Sequence, residues 1–282
     1  MLAAGLLFAC MGVFVKLGSA EFSHAELVFY RSLAGLLLMF AIVRYRNIPI
    51  ATRCWRKHLS RGISGTVALM LFFYCITALP LASAITLNYT APLFLALLTT
   101  VFLKQRLHTR QFVAIAMGFA GVVLLLHPTL QHDQLLPGLL GLTSGFFAGV
   151  AYLNVKQLGE LGEPASRTVF YFSLTASVCS GVYMLTGHIH PITPQGAAIL
   201  LGMGCSATLA QLAMTKAYRV GDTLVVGSLA YGTILFASLL GMLLWDETPQ
   251  PSGWLGMLLI IAGGVLSLQL SQKHSAQSKG KK

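Results

Sequence analysis

The side chains best able to do chemistry in this chain are ionisable residues placed inside long apolar segments. Burying a charge is costly, so each is a candidate functional group. Arg31 lies about six residues into one such segment, roughly 9 Å from its edge at about 1.5 Å per residue. Its guanidinium could bind a carboxylate through two parallel hydrogen bonds; alternatively, it snorkels to the edge or pairs with Glu26 or Glu21. Lys16 lies nearer an edge, which favours snorkelling, and Lys16 and Glu26 are candidates for a charge or gating role.

Neutral polar side chains within the apolar segments form a second group of candidates. A small-molecule pocket needs a few such groups converging among apolar walls. The alternative for each is a hydrogen bond between neighbouring helices. Tyr89 and Tyr231 are the stronger candidates because they are related by the internal repeat described below. The predicted substrate-binding residues are Arg31, Tyr74, Asn88, Tyr89, Tyr152, Gln211 and Tyr231.

Residue patterns typical of enzymes do not occur in this sequence. There is no nucleophile–base arrangement, phosphate-binding glycine loop or pair of carboxylates deep in an apolar segment. The five cysteines and the peripheral histidines show no metal-ligand spacing. We therefore expect that the chain is not an enzyme and that it binds neither a metal ion nor a cofactor. An intramembrane enzyme acting on a lipid-like substrate, or a channel, is the alternative to a carrier, and a saturable flux stimulated by exchange would favour the carrier.

Composition indicates the environment of these residues. The 282 residues are 56% hydrophobic and only 10% charged, whereas a soluble domain carries about 25% charged residues. A membrane span needs ~20 mostly apolar residues. The chain is thus predicted to be an all-α integral membrane protein in the lipid bilayer. Its ten predicted transmembrane helices cover residues 2–18, 25–43, 62–79, 81–103, 111–127, 138–155, 168–186, 195–213, 222–245 and 253–270.

The net charge of +11 indicates an orientation in the membrane. All Lys and Arg residues except Lys16 and Arg31 fall in alternate connections or in the C-terminal tail. Basic connections face the cytoplasm. This predicts a multi-pass protein of the inner (plasma) membrane with both termini cytoplasmic. Because orientation accounts for the charge, no nucleic-acid partner is expected.

The chain contains an internal repeat. Residues 87–94 match 229–236 at an offset of 142, and residues 28–33 match 169–174 at an offset of 141. Each half holds five predicted spans, so the second half must enter the membrane from the opposite side. An inverted repeat is a common plan of secondary transporters, with the substrate site near the midplane between the halves. The predicted units are a first repeat over 1–127, an external linker over 128–137, a second repeat over 138–270 and a disordered basic cytoplasmic tail over 271–282.

Small residues predict where helices approach closely. Gly141, Gly145 and Gly149 recur every four residues in the sixth predicted span, and Gly5 with Ala9 repeats part of this pattern in the first. Such spacing lets two helix backbones pack together. We expect these positions to serve packing rather than chemistry.

With these features in place, the chain resembles the EamA type of the drug/metabolite transporter superfamily. The resemblance covers nearly the whole chain. It is carried by the run from Pro80 to Phe94, its echo ending in Trp245-Asp246-Glu247, the place of Arg31, and the glycine-rich helices that contain Gly118, Gly121, Gly256, Gly263 and Gly264.

The resemblance implies a ten-helix secondary transporter that moves a small metabolite by alternating access. The substrate would be amino-acid-like or drug-like and commonly exported. A monomer and a homodimer are both compatible with the sequence. Two positions depart from the family. Gln105 stands where the family often has glutamate, and Ile234 stands where it often has proline. The second departure predicts that the ninth span lacks a proline kink.

Overall fold

The computed structural model describes residues 1–91, 93–95, 97–98, 109–126, 134–220 and 229–279. These residues form α-helices and short connections, without a strand, as the composition predicts. The ten helices of the described part are α1 (Leu2–Gly18), α2 (His24–Tyr45), α3 (Trp55–Ala78), α4 (Leu81–Asn88), α5 (Thr109–Leu126), α6 (Leu135–Glu160), α7 (Ala165–Leu185), α8 (Pro194–Val220), α9 (Gly232–Trp245) and α10 (Pro251–Lys279).

Several helices have the length and composition of membrane spans. Five of the described helices qualify by both measures: α2, α3, α6, α7 and the Pro194–Met214 part of α8. The helices Leu2–Gly18, Gly232–Trp245 and Pro251–Leu266 are apolar but shorter. At about 1.5 Å per residue, even the shorter ones cover much of a hydrocarbon core of about 30 Å.

The described connections lie at two ends of the helix bundle. We call one end the basic end; it carries the connections 46–54 and 161–164. The other, the distal end, carries 19–23, 79–80, 186–193 and 246–250. At the distal end, Lys16 at the close of α1 forms an ion pair with Glu247 beyond α9. At the basic end, Lys57 Nζ at the start of α3 donates to Gln157 Oε1 near the close of α6 at 2.9 Å.

Some helices extend beyond their predicted bounds. α3 begins at Trp55, so the prediction that Arg61 belongs to a connection is wrong. α6 begins at Leu135, inside the predicted linker, and places Pro137 in its first turn, where a missing N–H leaves no helical bond unmade. α10 continues to Lys279, through most of the tail predicted to be disordered. Adding residues to an existing helix avoids the cost of nucleating one.

The predicted continuous helices 81–103 and 222–245 are both interrupted. α4 ends at Asn88, and a turn at Tyr89-Thr90 separates it from helical Ala91. A turn at Tyr231 likewise precedes α9. The interruptions therefore fall at the repeat-related tyrosines, and the ninth predicted span is interrupted even though Ile234 stands where the family often has proline. Residues 92, 96, 99–103 and 222–228 of these predicted helices lie outside the described residues.

Threonine hydroxyls stabilise both interruptions. Thr90 Oγ1 donates to the Leu87 carbonyl at 2.6 Å, and Thr233 Oγ1 donates to the Ala230 carbonyl at 2.8 Å. A hydroxyl bound to the carbonyl three residues earlier competes with the regular helical hydrogen bond. The threonine contact is thus common to both interruptions, whereas a proline, Pro92, follows only the first of them in the sequence.

Glycines bring a neighbouring helix against each interruption. A Cβ atom on Gly145 of α6 would collide with Thr90 Oγ1 and lie 2.8 Å from the Leu87 carbonyl oxygen. A Cβ atom on Gly5 of α1 would lie 2.8 Å from Thr233 Oγ1. Gly5 and Gly145 are equivalent positions of the repeat. The packing role predicted for these glycines is therefore confirmed. Each lets its helix lie directly against one of the two interruptions.

Candidate functional site

A cavity of about 120 Å³ lies inside the bundle between the two halves of the chain. Every helix of the described part contributes to its wall except α5 and α10. Most of the wall is apolar, with a few polar groups converging on it, as in small-molecule sites generally. The side chains that matter below are Arg31, Arg61, Asn88, Tyr89, Tyr152, Phe172, Gln211 and Thr233.

The cavity spans the middle of the bundle: Phe72, on its wall, lies about 9 Å from the distal end of α3 at about 1.5 Å per residue. Gln211 lies about 14 Å along α8 from the basic end of that helix and about 26 Å from its distal end, at about 1.5 Å per residue. By the same measure Arg61 lies about 9 Å into α3 from the basic end. The interruption of α4 at Tyr89 forms part of the same wall. A broken helix at mid-depth is a common way for a transporter to present polar groups to a substrate.

The structure brings five of the seven predicted substrate-binding residues together at this cavity: Arg31, Asn88, Tyr89, Tyr152 and Gln211. The other two lie elsewhere. Tyr74, on α3, stacks edge-on against the His24 ring, with the centroids 5.6 Å apart. Tyr231 is buried behind the cavity, its ring centroid 6.3 Å from that of Tyr89. Those two side chains are therefore not among the residues that line the cavity.

Arg31 is buried at the cavity, with 8% of its surface exposed. It neither snorkels nor pairs with an acid in the part of the chain described. Its Nε atom has no hydrogen-bond partner there, and its guanidinium carbon lies 5.7 Å from the centroid of the Phe172 ring. Glu26, named above as a possible partner of Arg31, is bound instead by Ser23 and His190. Arg31 thus presents an uncompensated positive charge next to the cavity.

Arg61 is a second cavity arginine that the sequence pattern did not identify. It is also 8% exposed, and its guanidinium carbon lies 4.2 Å from the Phe172 ring centroid, within range of a cation–π interaction. Its Nε and Nη1 atoms have no partner among the described residues. A Cβ atom on Gly65, one turn further along α3, would collide with Nη1. Glycine at that position makes room for the guanidinium.

The described wall is therefore electropositive. It includes two arginines, and none of its residues is Asp, Glu, His or Lys. An unpaired buried charge is unfavourable unless something of opposite sign compensates it. Such a wall suits a ligand that carries negative charge.

Neutral polar groups form the opposite part of the wall and connect helices. Asn88 Nδ2 donates to Ser144 Oγ at 3.1 Å, which joins α4 to α6. Tyr89 Oη donates to Thr233 Oγ1 at 2.9 Å, which joins the interruptions of the two halves. These groups combine the two roles considered for them, hydrogen bonding between helices and a place beside the cavity.

The distal end above the cavity is closed by a charged cluster. Lys16 Nζ reaches the distal end, where it pairs with Glu247 Oε1. Glu247 Oε2 also accepts from the Leu81 backbone N–H, at the start of α4, at 2.8 Å. The Lys16 ammonium lies 5.0 Å from the Trp245 ring centroid. One carboxylate thus joins the ends of α1, α4 and α9.

Glu26 closes the distal end at a second point. Its side chain is fully buried and caps α2 with Ser23. It also accepts from the His190 backbone N–H and lies 2.9 Å from His190 Nδ1. At an offset of 141, the equivalents of Glu26 and His190 are Arg167 and Pro49, and Arg167 Nε donates to the Pro49 carbonyl at 2.8 Å at the basic end. Equivalent positions of the inverted repeat are therefore in contact at both ends of the bundle. At the distal end a carboxylate accepts the hydrogen bond, and at the basic end a guanidinium donates it.

Glu163 organises the basic end. Its carboxylate accepts from Thr52 Oγ1 at 2.6 Å and from Arg167 Nη1 at 2.9 Å, and it lies 3.3 Å from His58 Nε2. Burial raises the pKa of Glu163, but these hydrogen bonds and the Arg167 charge outweigh burial and hold the pKa below its ordinary value. The carboxylate therefore stays ionised and ties the 46–54 connection to the start of α7.

Comparison with known proteins gives relatives along almost the full length of the chain. It is 29% identical over 277 residues to the pseudopaline exporter of Pseudomonas aeruginosa, which covers 98% of this chain and 95% of that protein. It is 26% identical over 284 residues to a riboflavin transporter of Vibrio cholerae, covering 99% and 95%. It is 23% identical over 263 residues to an S-adenosylmethionine uptake transporter of Rickettsia felis, covering 89% and 87%.

The fold has a counterpart among solved structures. One crystal structure superposes with a TM-score of 0.66 at 17% identity, over 96% of this chain and 98% of that one. The EamA-like transporter family matches residues 1–127 and 136–269. This coverage confirms the resemblance, the ten-helix membrane fold and the expectation of a transporter rather than an enzyme. The chain belongs to the EamA-like transporter family of the drug/metabolite transporter superfamily.

Proposed function

We propose that this protein carries a small organic metabolite bearing a carboxylate across the plasma membrane by alternating access, with Arg31 binding the carboxylate. The observation that carries the proposal is the buried, unpaired guanidinium of Arg31 at the central cavity. A carboxylate can accept two parallel hydrogen bonds from a guanidinium, which adds geometric selectivity to the charge interaction. Asn88, Tyr89 and Gln211 supply neutral polar contacts for the rest of the molecule.

The cavity volume supports an amino-acid-like rather than a drug-like substrate. Pockets for drug-sized ligands commonly measure ~300–1,000 Å³, whereas this cavity measures about 120 Å³. The named relatives differ widely in what they move, so their names support the class of small metabolite and do not specify a compound.

The same proposal includes an orientation and a direction. With the basic end in the cytoplasm, as the positive-inside rule favours, both termini are cytoplasmic and the Lys16–Glu247 contact closes the external side. A cavity closed on the external side by this contact is suited to loading from inside the cell. We therefore favour export, as in the relative named an exporter.

We propose that transport proceeds by facilitated diffusion or substrate exchange. Proton relays at membrane depth are built from Asp, Glu or His, and the described wall of the cavity includes none of these. Glu26, the acid closest to the interior of a span, caps α2 and binds His190 rather than the cavity. The substrate gradient would then set the direction of net transport.

Proteoliposomes loaded with candidate substrates test this function. Counterflow of amino acids, other carboxylates and cationic drugs would be measured against empty vesicles. We expect saturable uptake of at least one carboxylate, accelerated by the same compound inside the vesicle. Unsaturable flux without exchange stimulation would instead identify a channel, and transport of cations alone would contradict the role of Arg31.

A further inference from the structure

We propose that the cavity is a two-cation site for compact organic dianions, in which Arg61 binds a second acidic group of the substrate. This inference rests on the proposed function and narrows its substrate class from carboxylates to molecules with two acidic groups. Its basis is the juxtaposition of Arg31 and Arg61 on one aromatic ring, inside one cavity.

The two guanidinium groups belong to a single binding space. Arg31 comes from α2 and Arg61 from α3, and both stand beside Phe172 of α7, at 5.7 and 4.2 Å from its ring centroid. Both line the same cavity. A molecule of amino-acid size bound against this ring can reach both charges at once.

Neither arginine has a protein anion to compensate it in the described part of the chain. Glu26, on the helix of Arg31, is bound by Ser23 and His190. Glu163, beyond the start of α3, is bound by Thr52 and Arg167 and faces His58. The nearby carboxylates are therefore committed to contacts at the two ends of the bundle.

Two unpaired, buried cations close together repel each other and are each poorly solvated. A monoanion would compensate one and leave the other. A dianion compensates both, and each charge-assisted contact is stronger in a buried site than in water. The electrostatics of the apo cavity therefore favour two negative charges over one.

Phe172 sets the positions of both cations. The face of an aromatic ring attracts a guanidinium, and the aromatic side chain itself has few rotamers. A Cβ atom on residue 65 would collide with Arg61 Nη1. Because this residue is glycine, the Arg61 guanidinium has room to lie against the ring. The separation of the two acidic groups in the substrate is thus limited by one ring and the two side chains beside it.

Matched pairs of probes test this inference on the purified full-length protein. Each dianion is compared with its own monoamide: succinate with succinamate, glutarate with its monoamide, glutamate with glutamine, and phthalate with phthalamate. Affinity is measured from the ligand-induced rise in melting temperature and from competition in counterflow. We expect the best dianion to bind the wild type at least tenfold more tightly than its monoamide.

Variants then assign the preference to Arg61. In Arg61→Gln we expect affinity for the dianion to fall to that of the monoamide, while affinity for the monoamide changes less than threefold. Arg61→Lys, which keeps the charge, should retain part of the preference. The matched control is Arg56→Gln, since Arg56 lies on the same helix beside Trp55, at 5.4 Å from the ring centroid, but is exposed. That control should bind both probes as the wild type does.

The outcomes separate this inference from the proposed function. Equal binding of dianions and monoamides by the wild type, or a preference unchanged in Arg61→Gln, overturns the two-cation site and leaves the carboxylate transporter standing. Absence of any carboxylate binding or counterflow overturns both. If Arg61→Gln does not fold, Phe172→Leu provides a second test. This variant should lower the affinity for the dianion more than the affinity for the monoamide. An equal loss of affinity for both contradicts the inference.

Discussion

Removing Lys16 should open the distal end of the transporter. Lys16 and Glu247 form an ion pair whose side chains are 16% and 18% exposed, and Glu247 also receives the Leu81 N–H. In Lys16→Met the carboxylate keeps only the backbone donor. The loss weakens the connection between the ends of α1, α4 and α9 in the conformation that is closed at this end.

The magnitude follows from the partial burial of the pair. Breaking a fully buried pair costs about 3–5 kcal/mol, and a fully exposed pair is worth about 0–1 kcal/mol. This intermediate case is worth about 1–3 kcal/mol, including the contact of the ammonium with Trp245. Since about 1.4 kcal/mol corresponds to a tenfold change in an equilibrium constant, the population open at the distal end should rise roughly 5- to 140-fold.

The repeat places the Lys16–Glu247 ion pair at the distal end without an equivalent pair at the basic end. The equivalents of Lys16 and Glu247 are Lys156, at an offset of 140, and Gln105, at an offset of 142. Glutamine carries no charge, so these equivalent positions of the sequence cannot supply an ion pair at the basic end. The Lys16–Glu247 pair therefore has no counterpart at the equivalent positions of the basic end, and we expect it to favour the state closed at the distal end.

Thiol labelling measures this shift. The five native cysteines are replaced, Ala68 in the cavity wall is changed to cysteine, and an impermeant maleimide is added outside intact cells. Lys16→Met should raise the labelling rate at least about fivefold. Lys57→Met is the matched control, since Lys57 donates to the neutral Gln157 at the basic end, and should not raise it. The reasoning is refuted if Lys16→Met labels at the parental rate, or if both variants accelerate labelling equally.

Three further predictions test the orientation, the helix packing and the energy coupling. Cysteines introduced at Thr193 and Gln250 should react with an impermeant reagent outside intact cells and one at Ser278 should not; labelling of Ser278 alone would reverse the orientation. Gly145→Val should abolish counterflow and lower the melting temperature because its side chain would enter the space of Thr90, whereas Gly159→Ala, with nothing within 4 Å of its Cβ position, should be neutral; a tolerated Gly145→Val would contradict the packing. With the membrane potential clamped, a pH gradient should not drive accumulation in proteoliposomes; accumulation that disappears in Glu26→Gln would make Glu26 a proton-coupling residue.

The sequence predicted the broad plan because that plan depends on patterns along the chain. Hydropathy marked the spans, the placement of Lys and Arg gave two kinds of connection, and short matches such as 87–94 with 229–236 revealed the repeat. Arg31 was predicted as a candidate because a charge within an apolar segment is conspicuous. Its environment still required the structure, since the ring beside it, Phe172, lies on another helix.

The features that the sequence missed depend on contacts distant in the chain. Arg61 sits among basic residues typical of a connection, yet α3 begins at Trp55 and carries it into the cavity. Glu247, the partner of Lys16, is 231 residues away. The interruption at Tyr231 has no proline near it in the sequence, and the Thr233 hydroxyl and the packing of Gly5 accompany it instead.

The most direct test of the central claim is counterflow of the preferred carboxylate by Arg31 variants in proteoliposomes. Arg44→Gln is the matched control, since Arg44 lies on the same helix but is exposed. A charge-assisted contact is worth about 1.5–3 kcal/mol, so Arg31→Gln should lower exchange at least tenfold without lowering the melting temperature. Arg31→Lys should also fail, because lysine cannot make the bidentate contact. Arg44→Gln should exchange as the wild type does. Wild-type exchange by Arg31→Gln would contradict the claim that this buried guanidinium binds the substrate.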